Sequence, residues 1–246
     1  MPPLPVLFVD ETIAVFAKPS GLLVHRGWGD DPVTAVDLAR EALGGAVAPV
    51  HRLDRATSGV IVFARSSEAA AAMGRAFEEG LADKRYLALV RGSAPDEGVI
   101  DHPIPRKEGG PRVPAVTLFR TRSRGMEAPG SAALEADLRR VSLVEARPLT
   151  GRLHQVRRHM KHRSHPLIGD ANYGKGALNR LFAERIGLAR LALHALSMEI
   201  PHPVSGERIR FVAALPEDLA GPFTRLGIPC EAWAPRAWDD AILTGA

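Results

Sequence analysis

The sequence predicts an α+β protein with a central mixed, mostly antiparallel β-sheet flanked by helices. Three observations lead there. Short apolar segments with strand character outnumber helical ones along the 246 residues. They do not alternate regularly with helices, as a doubly wound sheet would require. The first two are joined only by the polar pair Asp10-Glu11. Apolar residues make up 46% of the chain and charged residues 24%, an ordinary globular makeup. That length can bury one substantial core, arranged as one large domain or as two lobes.

Taken in order, residues 5–9 and 12–17 read as opening strands, ended by the turn chemistry of Lys18-Pro19-Ser20-Gly21. Residues 34–43 have helical character and stop at Gly44-Gly45. The unbroken apolar run at 59–65 reads as a buried strand. Ser66 or Ser67 then caps a helix running to Glu79, with Met73, Ala76 and Phe77 on one face and Gly80 as its C-cap. Residues 84–90, 114–121 and 141–147 alternate as strands do, 103–114 reads as an exposed loop, and 125–131 as a hairpin end. A helix over 152–163 is followed by a loop to about residue 177. Strands near 191–200 and 207–213 and a helix near 216–226 complete a core spanning residues 1–227. Residues 228–246 form a tail of little periodicity, whose Trp233 and Trp238 the pattern does not place.

No stretch is apolar enough to span a bilayer and the amino terminus lacks a signal pattern, so a cytoplasmic protein with no membrane partner is expected. The single cysteine, Cys230, excludes an intrachain disulfide and a cysteine-based zinc cluster. The net charge of +4 understates the basic character, because five lysines accompany 27 arginines. Segment 151–165 carries Arg152, Arg157, Arg158, Lys161, Arg163 and four histidines with no acid, and segment 105–125 carries six basic residues against Glu108 alone. Such local concentrations suit an anionic partner such as RNA.

Two segments carry chemistry. HRLDRATSG (51–59) sets Asp54 between Arg52 and Arg55 just ahead of the buried strand, which places this carboxylate on a loop at a sheet edge. Neighbouring positive charge favours its ionised form and suits it to nucleophilic or electrostatic work. In helix 152–163, about 100° per residue aligns Leu153, Val156 and Met160, and Arg157 falls in the same stripe. An inward arginine requires a carboxylate, and Asp54 and Asp170 are the leading candidates. The histidines 154, 159, 162 and 165 stand among arginines that would repel a cation, so no metal site is expected. A phosphate-binding P-loop pattern is missing, and Gly169–Gly174 reads as a turn that buttresses the site.

These motifs resemble those of the RluA-type pseudouridine synthases. HRLDRATSG is similar to the family's catalytic motif, KPSGLLVH (18–25) to the motif before it, and KRYLALVRG (84–92) to the one that supplies the active-site tyrosine. PLTGRLHQVRRHMKHRSHPLIGDANYG (148–174) and LALHALSMEIPHPVSGERIRFVAALPED (191–218) resemble the third and closing blocks, so the likeness runs from residue 4 to about 227. It implies a pseudouridine synthase fold with an active-site cleft across the sheet, a catalytic domain at 1–227, and no separate amino-terminal RNA-binding domain. It also implies an isomerase that breaks the N1–C1′ bond of uridine and rejoins the base through C5, with no cofactor. By the same resemblance Asp54 is the catalytic carboxylate, Tyr86 stacks on the extracted uracil, and Arg157 keeps Asp54 anionic, so that its loss harms catalysis more than folding. Arg52 fills the gap left by the flipped base, and Arg152, Arg158, Lys161 and Arg163 are candidates for phosphate contacts. LVHRGWGDD (23–31), PAVTLFR (114–120) and RRHMKHRSHP (157–166) resemble the branch that modifies tRNA at uridine 65. The expected partner is therefore tRNA, with no protein partner implied. The same chemistry on ribosomal RNA, and a non-catalytic RNA-binding protein on this scaffold, are the competing readings.

Overall fold

The computed structural model describes residues 3–26, 31–105, 109–125 and 135–235. In chain order, β1 (Val6–Val9), β2 (Ile13–Lys18), α1 (Ala35–Leu43), β3 (Ala48–Pro49), β4 (Ser58–Ala64) and α2 (Ser67–Glu78) lead to β5 (Asp83–Arg91). Then follow β6 (Glu97–Asp101), β7 (Ile104–Pro105), β8 (Arg112–Val113), β9 (Val116–Arg124), α3 (Ala136–Arg139), β10 (Val141–Pro148), α4 (Gln155–His162) and α5 (Gly176–Ile186). The last elements are β11 (Leu193–Pro201), β12 (Arg208–Val212), α6 (Glu217–Arg225) and a 3-10 turn at Cys230–Ala232. They group into two compact units, residues 1–84 with 194–214 and residues 85–193 with 215–246. The α+β class with a mixed, mostly antiparallel sheet is the observed one. Among the described residues no helix is long and apolar enough to cross a membrane.

In the first unit the strand order is β1-β2-β4-β11, with β3 on β4 and β12 on β11. All pairings are antiparallel except β4 with β11. Every residue of β4 is buried, as its continuous apolar run requires. Val60 and Val62 pack with Ile13 and Val15 of β2, Met73 and Ala76 of α2, and Met198, Ile200 and Phe211. Helix α2 is fixed at both ends. The Ser66 hydroxyl accepts the Ala69 N–H at 3.1 Å. At the other end Gly80, at φ 74°, lets its N–H reach the Phe77 carbonyl and the Leu81 N–H reach that of Ala76.

In the second unit β5 pairs with β10, β10 with β9 and β9 with β6, all antiparallel. Toward the C-terminal end of β5 its other edge is taken by irregular chain: Arg91 N–H donates to Pro166, Ile168 N–H to Leu89, and Leu89 N–H to Ala192. Helix α4 lies on the sheet face that carries Thr117. His159 hydrogen-bonds its hydroxyl, and the Gln155 amide donates to both the Val116 carbonyl and that hydroxyl. Tyr86 pairs across with Ala146, which pairs with Phe119, two residues along β9 from Thr117. Strand alternation therefore puts Tyr86 on the face that α4 covers.

Several elements differ from the sequence reading. Helix α4 begins at Gln155 and not at 152, because His154 adopts left-handed backbone (φ 55°) and the Gln155 side chain accepts the Arg152 N–H. Leu153 thus lies outside the helical stripe. The loop expected at 103–114 contains the hairpin β7–β8. β6 and α5 lie where no element was expected. The hairpin end expected at 125–131 and Trp238 fall outside the described residues, beyond Gly125. Trp233 packs on Phe223 with ring centroids 5.8 Å apart, so the start of the tail is anchored.

The parallel junction of β4 with β11 rests on one glycine. At Gly59, φ is 118° and a Cβ would lie 2.2 Å from the Ala195 carbonyl oxygen. Gly59→Ala is therefore expected to destabilise the chain by about 3 kcal/mol or more, read as a lowered urea midpoint, whereas Gly45→Ala, where a Cβ meets open space, leaves it in place.

Candidate active site and its family

The candidate residues of the first unit, Asp54 and Arg52, lie on the loop between β3 and β4. β3 runs antiparallel along the far end of β4, pairing Pro49 with Phe63. Where the chain leaves the sheet, the His51 Nε2 accepts the Val62 N–H at 3.0 Å, a side chain taking over from backbone. Leu53 is buried, and the carbonyl of Asp54 accepts the Thr57 N–H at 3.0 Å to close a turn. Asp54 is left half-buried and Arg52 exposed.

That loop is fastened to the turn after β2. The ammonium of Lys18, 1% exposed, donates to the carbonyls of Pro19 (2.8 Å), Leu22 (2.7 Å) and Arg55 (3.2 Å). The Gly21 N–H donates to the Arg55 carbonyl at 2.8 Å, and the Ser20 hydroxyl to that of Ala56 at 2.8 Å. Arg55 answers with Nε on the Gly21 carbonyl at 3.0 Å and an ion pair with Asp31 at 2.8 Å. Arg55, read in the sequence only as positive charge beside Asp54, therefore holds the loop. Gly21 is required at this close approach, since its φ is 85°.

Behind the loop, the Ser58 hydroxyl donates to His194 Nδ1 at 2.9 Å, and the His194 Nε2–H donates to the Ala213 carbonyl at 3.1 Å. The carbonyl acceptor fixes the tautomer, so this buried Ser–His pair is a structural tie between β4 and β11.

The remaining candidate residues lie in the second unit. Arg157 faces inward and is buried, and its acid is Asp170: Nε to Oδ2 at 2.8 Å and Nη2 to Oδ1 at 2.9 Å. Asp170 also accepts the N–H groups of Asn172 (2.9 Å) and Tyr173 (3.0 Å) on Oδ1. Burial by itself would raise the pKa of this carboxyl. The Arg157 fork and the Tyr173 and Asn172 amides outweigh it and hold the group below its usual value. Asn179 of α5 locks the same turn, donating to the Asp170 carbonyl and accepting the Gly169 N–H. Gly169–Gly174 thus buttresses Arg157, as its composition suggested.

The other sequence candidates spread over this unit. The Arg158 Nε donates to the Tyr173 hydroxyl at 2.7 Å, and the guanidinium carbons of Arg157 and Arg158 lie 5.1 and 5.6 Å from the centre of that ring. Arg152, Lys161 and Arg163 are exposed, with Arg152 Nε on the Pro114 carbonyl, while Tyr86 is half-buried on β5. Sequence reasoning missed Gln155, Tyr173 and Asn179, whose partners are set by the fold.

Residues 12–162 match the description of the RNA pseudouridylate synthase family. The chain belongs to that family. RNA pseudouridylate synthases isomerise uridine in RNA, so the chain is an isomerase with an RNA substrate. The tRNA pseudouridine synthase C of Haemophilus ducreyi is 40% identical over 91% of the chain and 96% of its own length. That of Vibrio cholerae is 35% identical over 99% and 100%. Among solved structures, human RNA Pseudouridylate Synthase Domain Containing 4 superposes with a TM-score of 0.70 at 26% identity, covering 90% of this chain and 92% of its own.

In this RNA pseudouridylate synthase Arg157 carries weight in folding. Arg157→Ala leaves the Asp170 carboxylate buried without its cation and is expected to cost about 3–5 kcal/mol in urea unfolding. Arg157→Lys recovers only part, because a point charge does not replace a fork.

A pH dependence follows from His51. Burial of the ring, then the charge of Lys84, lower its pKa from 6.5 to about 3, against a hydrogen bond that the ring donates to the Arg52 backbone. Between those values the unfolded chain binds the proton and the folded chain does not. The stability due to the neutral ring is complete above about pH 6.5 and is lost as pH falls toward about 3, by about 2 kcal/mol at pH 5. Chemical denaturation at pH 7 and pH 5 is expected to show a larger loss for the native chain than for His51→Gln.

Proposed function

We propose that this chain converts a uridine of tRNA to pseudouridine, at position 65, with Asp54 as the catalytic carboxylate. The observation that carries the substrate is the end-to-end similarity to proteins named tRNA pseudouridine synthase C, at 35–40% identity. In this reading residues 1–227 form one catalytic domain with a short tail, acting in the cytoplasm without a membrane or protein partner.

Breaking the N1–C1′ bond builds positive charge on the sugar, and a carboxylate beside that carbon stabilises or captures it. Asp54 suits that work because its loop is held by two neighbouring segments, so little ordering remains to be done when RNA binds. Arg157 serves as its cationic partner. A guanidinium has five N–H donors and the Asp170 fork uses two, so one side chain has the capacity to orient two carboxylates. Tyr86 stacks on the extracted uracil and Arg52, exposed beside Asp54, fills the place it leaves. Arg152, Lys161 and Arg163 contact phosphates. Arg158 adds charge to them, with its Nε committed to Tyr173.

The test is to treat tRNA and rRNA separately with the protein and map pseudouridine by carbodiimide modification and primer extension. A stop at tRNA position 65 is expected, and a stop only in rRNA overturns the substrate. Asp54→Asn is expected to bind tRNA as the native chain does while losing on the order of 10³-fold or more in turnover. Undiminished turnover in that variant overturns the mechanism.

A further inference from the structure

The hairpin β7–β8 and helix α4 meet at a group of histidines and cations that the reaction does not use. The rings of His102, just after β6, and His162, at the end of α4, stack with centroids 3.7 Å apart and planes 14° from parallel. Arg112 of β8 donates from Nη1 to His102 Nε2 at 3.1 Å and to the Pro103 carbonyl at 3.0 Å. A ring nitrogen that accepts from a guanidinium carries no proton, so His102 is neutral in this arrangement. Beneath them His159 is fixed on both sides. Its Nε2–H donates to the His102 carbonyl at 2.9 Å, and its Nδ1 accepts the Thr117 hydroxyl at 2.8 Å.

We propose that His102, His162 and Arg112, with Lys161 and Arg163, form a phosphate-binding site for the RNA backbone, and that filling it is linked to uptake of a proton by the stacked pair. The proposal rests on the tRNA reading above and extends the phosphate contacts given there to Lys161 and Arg163 onto His102, His162 and Arg112. The two basic segments of the sequence, 105–125 and 151–165, meet here, and Arg112, Lys161, His162 and Arg163 are all exposed. The charged and titratable groups that bear on the pair come from three elements. They are Arg112 on β8; Arg158, His159, Lys161 and Arg163 on or next to α4; and Asp101 at the end of β6, which acts on His159.

With cations prevailing, a proton on His102 is opposed until an anion arrives. Burial, then His162 and Arg112, already hold the pKa of His102 below its ordinary value. A phosphate reverses that balance, because a nearby negative charge favours the protonated ring. Proton uptake then appears as tighter RNA binding at lower pH. The joint is preorganised by His159 and by the Arg158 Nη1 contact to the Pro105 carbonyl at 3.4 Å, so binding does not have to assemble it.

The experiment measures the affinity of the full chain for a tRNA transcript by fluorescence anisotropy, from about pH 7.5 to about pH 6 at constant salt of about 0.15 M. The native chain is expected to tighten by about threefold to tenfold over that range. His162→Gln and His102→Asn are expected to remove most of that gain, and Arg112→Ala to weaken binding at both ends of the range. Far-ultraviolet circular dichroism and melting of each variant check that the fold is retained. An equal pH response in the native chain and His162→Gln overturns the proposal, as does a native affinity that does not change with pH. Pseudouridine mapped in the same transcripts separates the two readings. If the native chain modifies tRNA and the histidine variants keep the full pH response, only the phosphate site fails. If the native chain leaves tRNA unmodified, the substrate assignment fails first.

Discussion

A buried ammonium fixes the loop that carries Asp54. Lys18 ends a strand that is buried along almost its whole length, and its charge is met by the backbone carbonyls of Pro19, Leu22 and Arg55. An ammonium in such surroundings has to be met by oxygen. Meeting it with carbonyls from two distant segments forces the turn after β2 against the loop before β4. Hydrogen bonds from Gly21, Ser20 and Arg55 then join the two segments at other points. The position of the Asp54 backbone is thus a consequence of where a lysine has been buried.

The same constraint shapes the second unit with the charges exchanged. There the buried group is a carboxylate, Asp170, met by Arg157 and by two amides of its own turn. Both places consist of irregular backbone at the edge of a sheet, where strand pairing no longer satisfies N–H and C=O groups. Side chains do that work: His51 for Val62, Asn179 for Gly169 and Asp170, Gln155 for Arg152 and Val116. Each such bond stabilises by only about 1 kcal/mol net, but leaving a buried group unmet costs about 1–3 kcal/mol. These residues therefore hold shape more than they add stability.

This division explains what could be read in the sequence. The strands and helices with one-sided or continuous apolar patterns, such as β4 and α2, were legible because burial imposes its period on the chain. α5 was not, since Gly176, Asn179 and Arg180 break its opening turns and only Phe182 and Ile186 are buried. β6 escaped because it is an edge strand with Ile100 alone buried. At the site, Asp54 was conspicuous among arginines, and Arg157 announced its need for an acid by lying in an apolar stripe. The choice of Asp170 for that acid, and the duty of Arg55, depend on contacts 13 and 34 residues away in the chain. No local pattern encodes those.

Arg55 shows how far local charge can mislead. Beside Asp54 in sequence, it reads as the group that holds the carboxylate ionised. In the structure its Nε faces the Gly21 carbonyl and its Nη2 pairs with Asp31, so much of its field is spent on another acid. Arg157 has the opposite history. It lies about a hundred residues from Asp54 and is fixed rigidly by Asp170, which neutralises part of its charge while aligning the fork. An arginine held in this way is less useful as a bare charge and more useful as a directional donor, because its remaining N–H groups have fixed directions. Preorganised donors of that kind lower the cost of reorganisation during a reaction more than mobile cations do. In the proposed reading the tasks are separate: exposed arginines and lysines supply long-range attraction for RNA, and the buried, paired arginine supplies geometry.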